Sequence, residues 1–367
     1  MGPERPSRRH WMAAVAMWVA HPARMSASRD QETGMIVDRA RWTSFFDGYA
    51  AVDCAVMDPA RIFFVLDPDG GDGAEDAGTR LLFARLGRAM DDRRFVVNRP
   101  GFAVSGIAFG PERTEFVATS LAGDVFRYDA ATAVVESGIP RRIPGSDLGA
   151  VVHGVTRVGG ALYAFGWPHR VWRRNGPDAW TPLAAGLPAP PSLQTSAQQV
   201  EAIYSRRFRA VAGFGADDLY AVGDAGEVWH WSGARWTRRP FPSDEPLVAA
   251  CAAGGRLFVA GQSGTLWAGR QARWTSVHDS APYPFEDLAW FADRLWCGAS
   301  NGALHVLEGD RLVSAGAPAA VSPGINHLDV APDGSGLVVA GRGGAALHDG
   351  ATWRVLFGAT APRERQR

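Results

Sequence analysis

Two aspartates and two histidines stand in similar local sequences, and their side chains are the first candidates for shared chemistry. Asp53, His153, Asp287 and His327 each precede a short run of small or apolar residues. If these runs are equivalent strands of a repeated structure, the four side chains lie in equivalent places. Two carboxylates and two imidazoles can bind a polar ligand or, less favourably, a metal ion. They can also be wall groups that hydrogen-bond to water, and both interpretations stay open.

Three further places could contact a partner. Trp167 and Trp290 do not follow the spacing of the other tryptophans, so they are candidates for surface recognition or for packing. A long connection, Ala184–Arg209, ends in Arg206, Arg207 and Phe208. Loops of this length in compact repeats usually have a function, although a neutral insertion is the alternative.

Three other features of the sequence, namely an acidic stretch, the cysteines and the basic residues, predict no catalytic or metal-binding site. The acidic stretch Asp67–Asp76 lacks the spacing of a calcium loop, because Gly71 stands where the third acidic ligand belongs, and we interpret it as a solvated hairpin tip. The three cysteines have no metal-ligand spacing, and we expect core thiols. The chain contains no Lys, so its basic residues are all Arg and Lys-based Schiff-base catalysis is excluded. We therefore predict no cofactor and no metal.

The elements that would position these residues are short strands separated by Gly, Asp and Ser turns. The clearest unit, Phe214–Thr237, contains a strand at Leu219–Val222, a turn at Gly223–Gly226, a strand at Val228–Trp231 and another that begins at Trp236. Such strands, rich in Val, Leu, Tyr and Trp, are typical of all-β structure. Their apolar residues do not follow the helical spacing of three and four.

The same unit occurs seven times, with second strands that end at residues 66, 120, 166, 223, 261, 298 and 341. The copy at 50–100 is the most degenerate. A period of about 40–45 residues with four strands per unit is typical of propeller blades. The sequence therefore predicts an all-β fold, a seven-bladed β-propeller of four-stranded antiparallel blades. We expect residues 36–43 to add an outer strand to the last blade, beside Trp353.

The unit Phe214–Thr237 resembles the Trp-rich repeat of bacterial β-propellers with WD-repeat-like blades, and more loosely the Asp-box repeat of sialidases. The resemblance extends over about 300 residues and is most specific in 205–357. It implies the fold and that Trp229, Trp236, Trp267 and Trp274 pack between blades. Sialidases would require an early Arg-Ile-Pro, but Arg142-Ile143-Pro144 follows the second copy, so no catalytic residue is assigned.

Charge and the two ends of the chain limit partners and location. The formal net charge is zero, which argues against nucleic acid as a partner. No apolar run reaches the ~18–20 residues of a membrane-spanning helix. We interpret 1–35 as a leader, a misassigned start or disordered chain, 36–357 as one propeller domain and 358–367 as a disordered tail. Ser7-Arg8-Arg9 resembles a twin-Arg signal, so export is the alternative to the cytoplasmic location that we favour.

These observations favour a non-enzymatic module in which one face of a rigid propeller binds another protein. The alternative is an enzyme, or a propeller that binds a small ligand or a carbohydrate, with the polar mouth of the central channel as its site. The innermost strands line that channel, so the mouth would contain Asp53, His153, Asp287 and His327.

Overall fold

The structure is a computed structural model, and it describes residues 45–69, 78–86, 94–110, 114–129, 132–143, 149–189, 198, 205–309 and 311–358. These residues form seven four-stranded antiparallel sheets, in each of which the strands follow one another in chain order. Each innermost strand contacts the innermost strands of the sheets before and after it, and the first strand contacts that of the seventh sheet. The predicted seven-bladed β-propeller is confirmed.

The strands of the first four blades are as follows. Blade 1 contains β1 (Tyr49–Asp58), β2 (Arg61–Pro68), β3 (Arg80–Arg85) and β4 (Arg94–Asn98), and blade 2 contains β5 (Gly106–Gly110), β6 (Glu115–Thr119), β7 (Val125–Tyr128) and β8 (Ala133–Val135). Blade 3 contains β9 (Val151–Val158), β10 (Ala161–Trp167), β11 (Arg170–Gly176) and β12 (Ala179–Pro182), and blade 4 contains β13 (Phe208–Gly215), β14 (Asp218–Gly223), β15 (Val228–Trp231) and β16 (Trp236–Arg239).

The last three blades complete the ring. Blade 5 contains β17 (Leu247–Ala253), β18 (Arg256–Gly261), β19 (Leu266–Arg270) and β20 (Arg273–His278), and blade 6 contains β21 (Phe285–Phe291), β22 (Arg294–Ala299), β23 (Leu304–Glu308) and β24 (Arg311–Ser314). Blade 7 contains β25 (Ile325–Val330), β26 (Leu337–Gly341), β27 (Gly344–His348) and β28 (Trp353–Gly358). Two single 3₁₀ turns, Asp224–Gly226 and Ala319–Val321, lie between described strands.

The apolar core is divided into clusters that each join two adjacent blades. Every adjacent pair of blades, including the seventh and the first, has its own cluster. This division follows from strand geometry, because alternate side chains of each strand point to opposite faces of a blade and both faces are covered. The second strands accordingly read as continuous apolar runs, as in Leu257–Gly261.

The tryptophans and cysteines lie mostly in these clusters. Trp229 and Trp236 are buried between blades 3 and 4, whereas Trp267 and Trp274 are only half-buried and pack edge-on against Phe241. The cysteines are free thiols; Cys54 and Cys297 are buried and Cys251 is half-buried. Burial raises the pKa of all three thiols.

The ring closes between blade 7 and blade 1, and the four strands of blade 7 all come from residues 325–358. The outer strand that we expected at 36–43 lies outside the described residues, as do the proposed leader and most of the tail. Gly358, the first residue assigned to the tail, is the last residue of β28. Just after the expected strand, Phe46 stacks on Phe357 with ring centroids 4.4 Å apart.

One face of the propeller is formed by the loops that lead into the innermost strands and by the turns between second and third strands. We call it the mouth face, because the innermost strands begin there. A glycine in these turns lets two such segments touch. Gly226 has φ +62, its N–H donates to the carbonyl of Glu245 at 2.9 Å, and a Cβ on it would lie 1.9 Å from the carbonyl oxygen of Ser243. Only glycine combines that φ with such an approach.

Candidate functional site

The innermost strands carry an irregularity that fixes which side chains meet at the channel mouth. Six of them have a β-bulge near their start, where one residue has no partner on the second strand. The residues in the bulge are Val52, His153, Arg209, Val248, Glu286 and Asn326. The residues directly after it are Asp53, Gly154, Ala210, Ala249, Asp287 and His327.

The predicted equivalence of the four residues is therefore right for three of them and wrong for His153. Asp53, Asp287 and His327 follow the bulge, whereas His153 is the bulged residue of its strand. A shift of one residue turns a side chain to the other side of a strand. His153 accordingly faces a different set of neighbours, in blade 4.

Asp287, His327 and Asp53 form a chain of charged groups across blades 6, 7 and 1. Nδ1 of His327 lies 2.9 Å from Oδ2 of Asp287, and Nε2 lies 3.3 Å from Oδ1 of Asp53. An imidazolium has a donor on each ring nitrogen, so it can bind both carboxylates at once. The innermost strands of three consecutive blades are thereby joined through one side chain.

Both aspartates also accept hydrogen bonds from the free edges of innermost strands. Oδ1 of Asp53 accepts from the N–H of Cys54 at 2.7 Å, and its Oδ2 accepts from the N–H of Ile107 in blade 2 at 3.0 Å. Asp287 repeats the pattern with the N–H groups of Leu288 and Leu328, each at 2.8 Å. Innermost strands have one edge that no strand covers, and these carboxylates satisfy amides that would otherwise be unpaired.

Burial and neighbouring charges have opposite effects on the pKa values of Asp53 and His327. Burial raises the pKa of Asp53 to about 6 against the opposing effect of His327. Burial would lower the pKa of His327, but Asp53 and Asp287 outweigh it and raise that pKa to about 10. At neutral pH these three side chains therefore form one imidazolium between two carboxylates.

This arrangement predicts that the stability of the folded protein decreases with pH above 6.5. His327 has a higher pKa folded than unfolded, so its contribution is complete below about 6.5 and is lost as pH rises towards 10. When the folded state binds one proton more than the unfolded state, the free energy of unfolding changes by at most about 1.4 kcal/mol per pH unit. Because the side chain is 35% exposed and channel water screens it, we expect roughly half of that. Urea unfolding of the wild type and of His327→Gln at pH 6.5, 7.5 and 8.5 measures it.

The thiols titrate in both proteins, so the difference between the two pH profiles reports His327 together with Asp53, whose carboxyl pKa the imidazolium lowers in the wild type. The wild type should lose more free energy of unfolding than the variant across this range. Parallel pH profiles would contradict the assignment of an imidazolium at this place.

Further side chains of β25 extend the closure of the ring. Nδ2 of Asn326 donates to the carbonyl of Ala51 at 2.8 Å, and Oδ2 of Asp329 accepts from the N–H of Val56 at 2.7 Å. Asn326, His327 and Asp329 of blade 7 thus all bind the first strand of blade 1. They act together with the apolar cluster between these blades.

Arg157 crosses the channel. Its Nη2 donates to the carbonyl of Val330 at 2.7 Å and lies 3.6 Å from Oδ1 of Asp329. Arg157 belongs to blade 3 and Val330 to blade 7, which are not neighbours in the ring. Both residues lie near the ends of their innermost strands. The side chain therefore narrows the channel on the side away from the mouth, so that the mouth is a recess.

A second polar cluster lies on the opposite wall, at blades 3 and 4. Oδ2 of Asp224 accepts from the N–H and Nε of Arg207 at 3.0 and 3.1 Å, and its Oδ1 accepts from Nη2 of Arg207 at 3.2 Å and from Nε of Arg209 at 2.8 Å. Burial would raise the pKa of Asp224, but Arg207 outweighs it and lowers that pKa. Burial and Arg207 lower the pKa of His153 to about 3. The cluster thus has two guanidinium groups, one carboxylate and a neutral imidazole.

The other candidate contact residues have different surroundings. Trp167 is 1% exposed and belongs to the cluster between blades 2 and 3, and Phe208 is fully buried between blades 3 and 4. Neither side chain reaches the surface in this structure. Trp290 is half-buried and stacks on Phe258 with ring centroids 5.9 Å apart. Arg206 is exposed on the mouth face, while Arg207 is held by Asp224.

An open groove lies on the mouth face between blades 4 and 5. It has a volume of about 720 Å³ and is lined by the turn at Ala225 and Gly226 and by residues 238–244. Phe241 is half-buried in it between two exposed prolines, and the side chain of Arg238 is 58% exposed. Sequence reasoning missed this groove, although Pro240-Phe241-Pro242 beside two arginines was a visible signal.

The structure also adds Arg157, Arg209, Asp224 and Asp329 to the polar groups around the channel. Asp329 was the easiest to find, since it stands two residues after His327 and side chains two apart in a strand share a face. Nothing in the sequence around Arg157 indicated that it lines the channel, because its partners lie in a distant blade.

Two absences concern the described residues alone. In that part of the chain no group of three or more His, Cys, Asp and Glu side chains is arranged to hold a metal ion. No helix there is long and apolar enough to span a membrane.

The seven four-stranded blades around the channel define a seven-bladed β-propeller. No protein-family model matches the sequence. The immune protein Tsi7 of Pseudomonas aeruginosa is 34% identical over 163 residues, which are 44% of this chain and 50% of that protein. The match thus spans about half the length of this curated relative.

Solved structures with the same architecture include several propellers. YCF48 bound to D1 peptide has a TM-score of 0.56 and 15% identity, with 86% of this chain and 94% of that chain covered. The WD40 repeats of RRP9 have a TM-score of 0.56 and 13% identity, with 91% and 94% covered. The WD40 β-propeller domain of Doa1 has a TM-score of 0.54 and 11% identity, with 80% and 90% covered. At these identities the likeness concerns the fold alone.

Proposed function

We propose that this chain is a non-enzymatic protein-binding propeller whose mouth face docks a protein partner. We further propose that this binding protects the cell against the partner, as the name of the immune protein Tsi7 suggests for that relative. The peptide bound to YCF48 supports a role of this kind for a propeller of similar architecture. We place the interaction in the cytoplasm, the location that the sequence favours.

The groove between blades 4 and 5 is the observation that carries this proposal. It is open, and it offers an aromatic ring, two prolines and the exposed guanidinium of Arg238 on a rigid frame. Aromatic residues and Arg are enriched in the parts of interfaces that contribute most to binding. The surrounding turns are fixed by backbone hydrogen bonds between successive segments, such as Gln262 N–H to Pro246 carbonyl at 2.9 Å. A fixed surface loses little freedom on binding.

The polar groups of the channel favour this function over the channel-ligand alternative. The carboxylates of Asp53 and Asp287 each accept two backbone amides and also face His327. Arg157 is held by Val330 and Asp329. These groups stabilise the ring, and a general acid or base would have to give up such contacts to react.

The test is co-expression of the full chain with the products of neighbouring genes, followed by affinity capture and a growth assay. We expect one product to be captured and to inhibit growth only when this chain is absent. Arg238→Glu combined with Phe241→Ala should weaken capture by about tenfold or more, because both groove contacts are removed.

The matched control is Arg235→Glu, an exposed arginine in the turn before β16, at the opposite end of the same strand from Arg238. It should leave capture and growth protection unchanged. Equal loss in both variants would indicate a general charge effect, and unchanged capture in the groove variant would place the interface elsewhere. If no neighbouring product is captured or neutralised, the protective function is wrong.

A further inference from the structure

Among the described residues, cationic and anionic groups lie on opposite walls of the channel mouth. At blades 3 and 4, the guanidinium groups of Arg207 and Arg209 share the carboxylate of Asp224, and we call this side the basic wall. At blades 6, 7 and 1, the imidazolium of His327 faces two carboxylates, which leaves one negative charge. The basic wall adjoins the groove, because Asp224, which binds Arg209, directly precedes the groove residues Ala225 and Gly226.

Arg209 is the centre of the basic wall. It is the bulged residue of β13, so its side chain leaves the strand at the point where the channel opens. Its Nε donates to Asp224 at 2.8 Å, and the side chain is 26% exposed. Within the described part of the chain, neither terminal nitrogen of Arg209 has a hydrogen-bond partner.

Asp224 cannot satisfy those terminal nitrogens as well, because its two oxygens already accept four hydrogen bonds from Arg207 and Arg209. Burial and the charge of Arg207 lower the pKa of Arg209, so they destabilise its charged form. A second anion beside the guanidinium would stabilise that form. His153 stays neutral in this cluster and supplies no further charge.

The chemistry of this unsatisfied group specifies its ligand. A guanidinium presents its terminal N–H groups as a planar fork that matches the two oxygens of a carboxylate. The negative wall across the recess repels such a carboxylate and directs it towards Arg209. A protein segment that lies in the groove between blades 4 and 5 can reach the mouth along the same blade.

We propose that the channel mouth binds a carboxylate side chain, Asp or Glu, that the protein partner inserts against the terminal nitrogens of Arg209. This inference rests on the proposed function for the identity of the partner. The carboxylate site itself is a property of this chain and can be tested alone.

The first experiment uses acetyl-glutamate amide as the probe and follows the Arg Nε–Hε signals of the full chain by NMR. We expect a saturable shift of the Arg209 signal, and none with acetyl-glutamine amide, which has the same shape without charge. Arg209→Gln should abolish saturable binding, as measured from the remaining signals at the mouth. Arg209→Lys keeps the charge without the fork, and it should bind more weakly than the wild type.

The control is Arg206→Gln, which removes an exposed arginine from the same face and should leave binding intact. Thermal melts show whether each variant is folded, and Arg209→Lys provides the second test if Arg209→Gln is not. Equal shifts with the neutral probe, or full binding by a folded Arg209→Gln or Arg209→Lys variant, would overturn the site.

The second experiment separates this site from the proposed function. With a partner in hand, Arg209→Gln should weaken capture by about tenfold to a hundredfold, the usual effect of a lost charged hydrogen bond. Unchanged capture would overturn the insertion of a carboxylate while the protein-binding function stands. Probe binding at Arg209 without any captured partner would support the site and count against the proposed function.

Discussion

Replacement of Arg174 by Met should lower the free energy of unfolding by about 3–5 kcal/mol. The side chain of Arg174 is 2% exposed, and its Nε lies 2.7 Å from Oε1 of Glu115. Its Nη1 and Nη2 each lie 2.8 Å from an oxygen of Glu136. Burial would lower the pKa of Arg174, but Glu136 and Glu115 outweigh it and raise that pKa. The variant would leave two buried carboxylates without their main partner, and urea unfolding at pH 7 measures the loss.

Two further variants test the cause. Arg173→Met changes the exposed neighbour on the same strand and should alter stability by less than about 0.5 kcal/mol. Arg174→Met combined with Glu115→Gln and Glu136→Gln removes the buried charges together, so it should recover part of the loss. A cost below about 1 kcal/mol for the single variant, or a combined variant no more stable than it, would contradict this account.

The blades could be predicted because their signals are local. Turn glycines such as Gly226, tryptophans in register and apolar second strands each specify a few residues, and seven repetitions specify the ring. Even the degenerate copy at 50–100 folds as the complete blade β1–β4. Its apolar second strand, Ile62–Leu66, was enough to count it.

The channel residues could be predicted only in part, because a bulge changes register without any mark in the sequence. Asp53, Asp287 and His327 were aligned correctly, and they meet in the structure. His153 was aligned one residue away from its true equivalent, and it faces Arg207 and Asp224 instead. Interactions across the ring, such as Arg157 with Val330, join residues that are far apart in the chain.

The segment that ends the long connection shows what period-two reasoning could have added. Phe208 is fully buried, whereas Arg207 before it and Arg209 after it are only half-buried, so the middle side chain points into the core and its neighbours do not. Treating all of 206–208 as one contact surface overlooked that alternation. The aromatic side chain stabilises the blade, and Arg209, just beyond the predicted set, is the group that faces the mouth.

Replacement of Trp236 by Ala should lower the free energy of unfolding by about 3–5 kcal/mol. Trp236 is 1% exposed, and its ring packs against Phe208 and Trp231 with centroids 6.0 and 5.6 Å away. Its Nε1–H donates to the carbonyl of Leu183 at 3.0 Å. The variant would leave a cavity between blades 3 and 4 and the carbonyl of Leu183 without this donor. Chemical denaturation followed by circular dichroism measures the change.

Trp274 provides a matched comparison, because it occupies the same position in the next blade and donates Nε1–H to the carbonyl of Pro240 at the same distance of 3.0 Å. Its ring is only half-buried, against Phe241, so Trp274→Ala should cost less, about 1–2 kcal/mol. Equal losses would mean that the repeat position, and not the depth of burial, sets the contribution of these tryptophans. A Trp236→Ala protein as stable as the wild type would contradict the assignment of this ring to the core between blades 3 and 4.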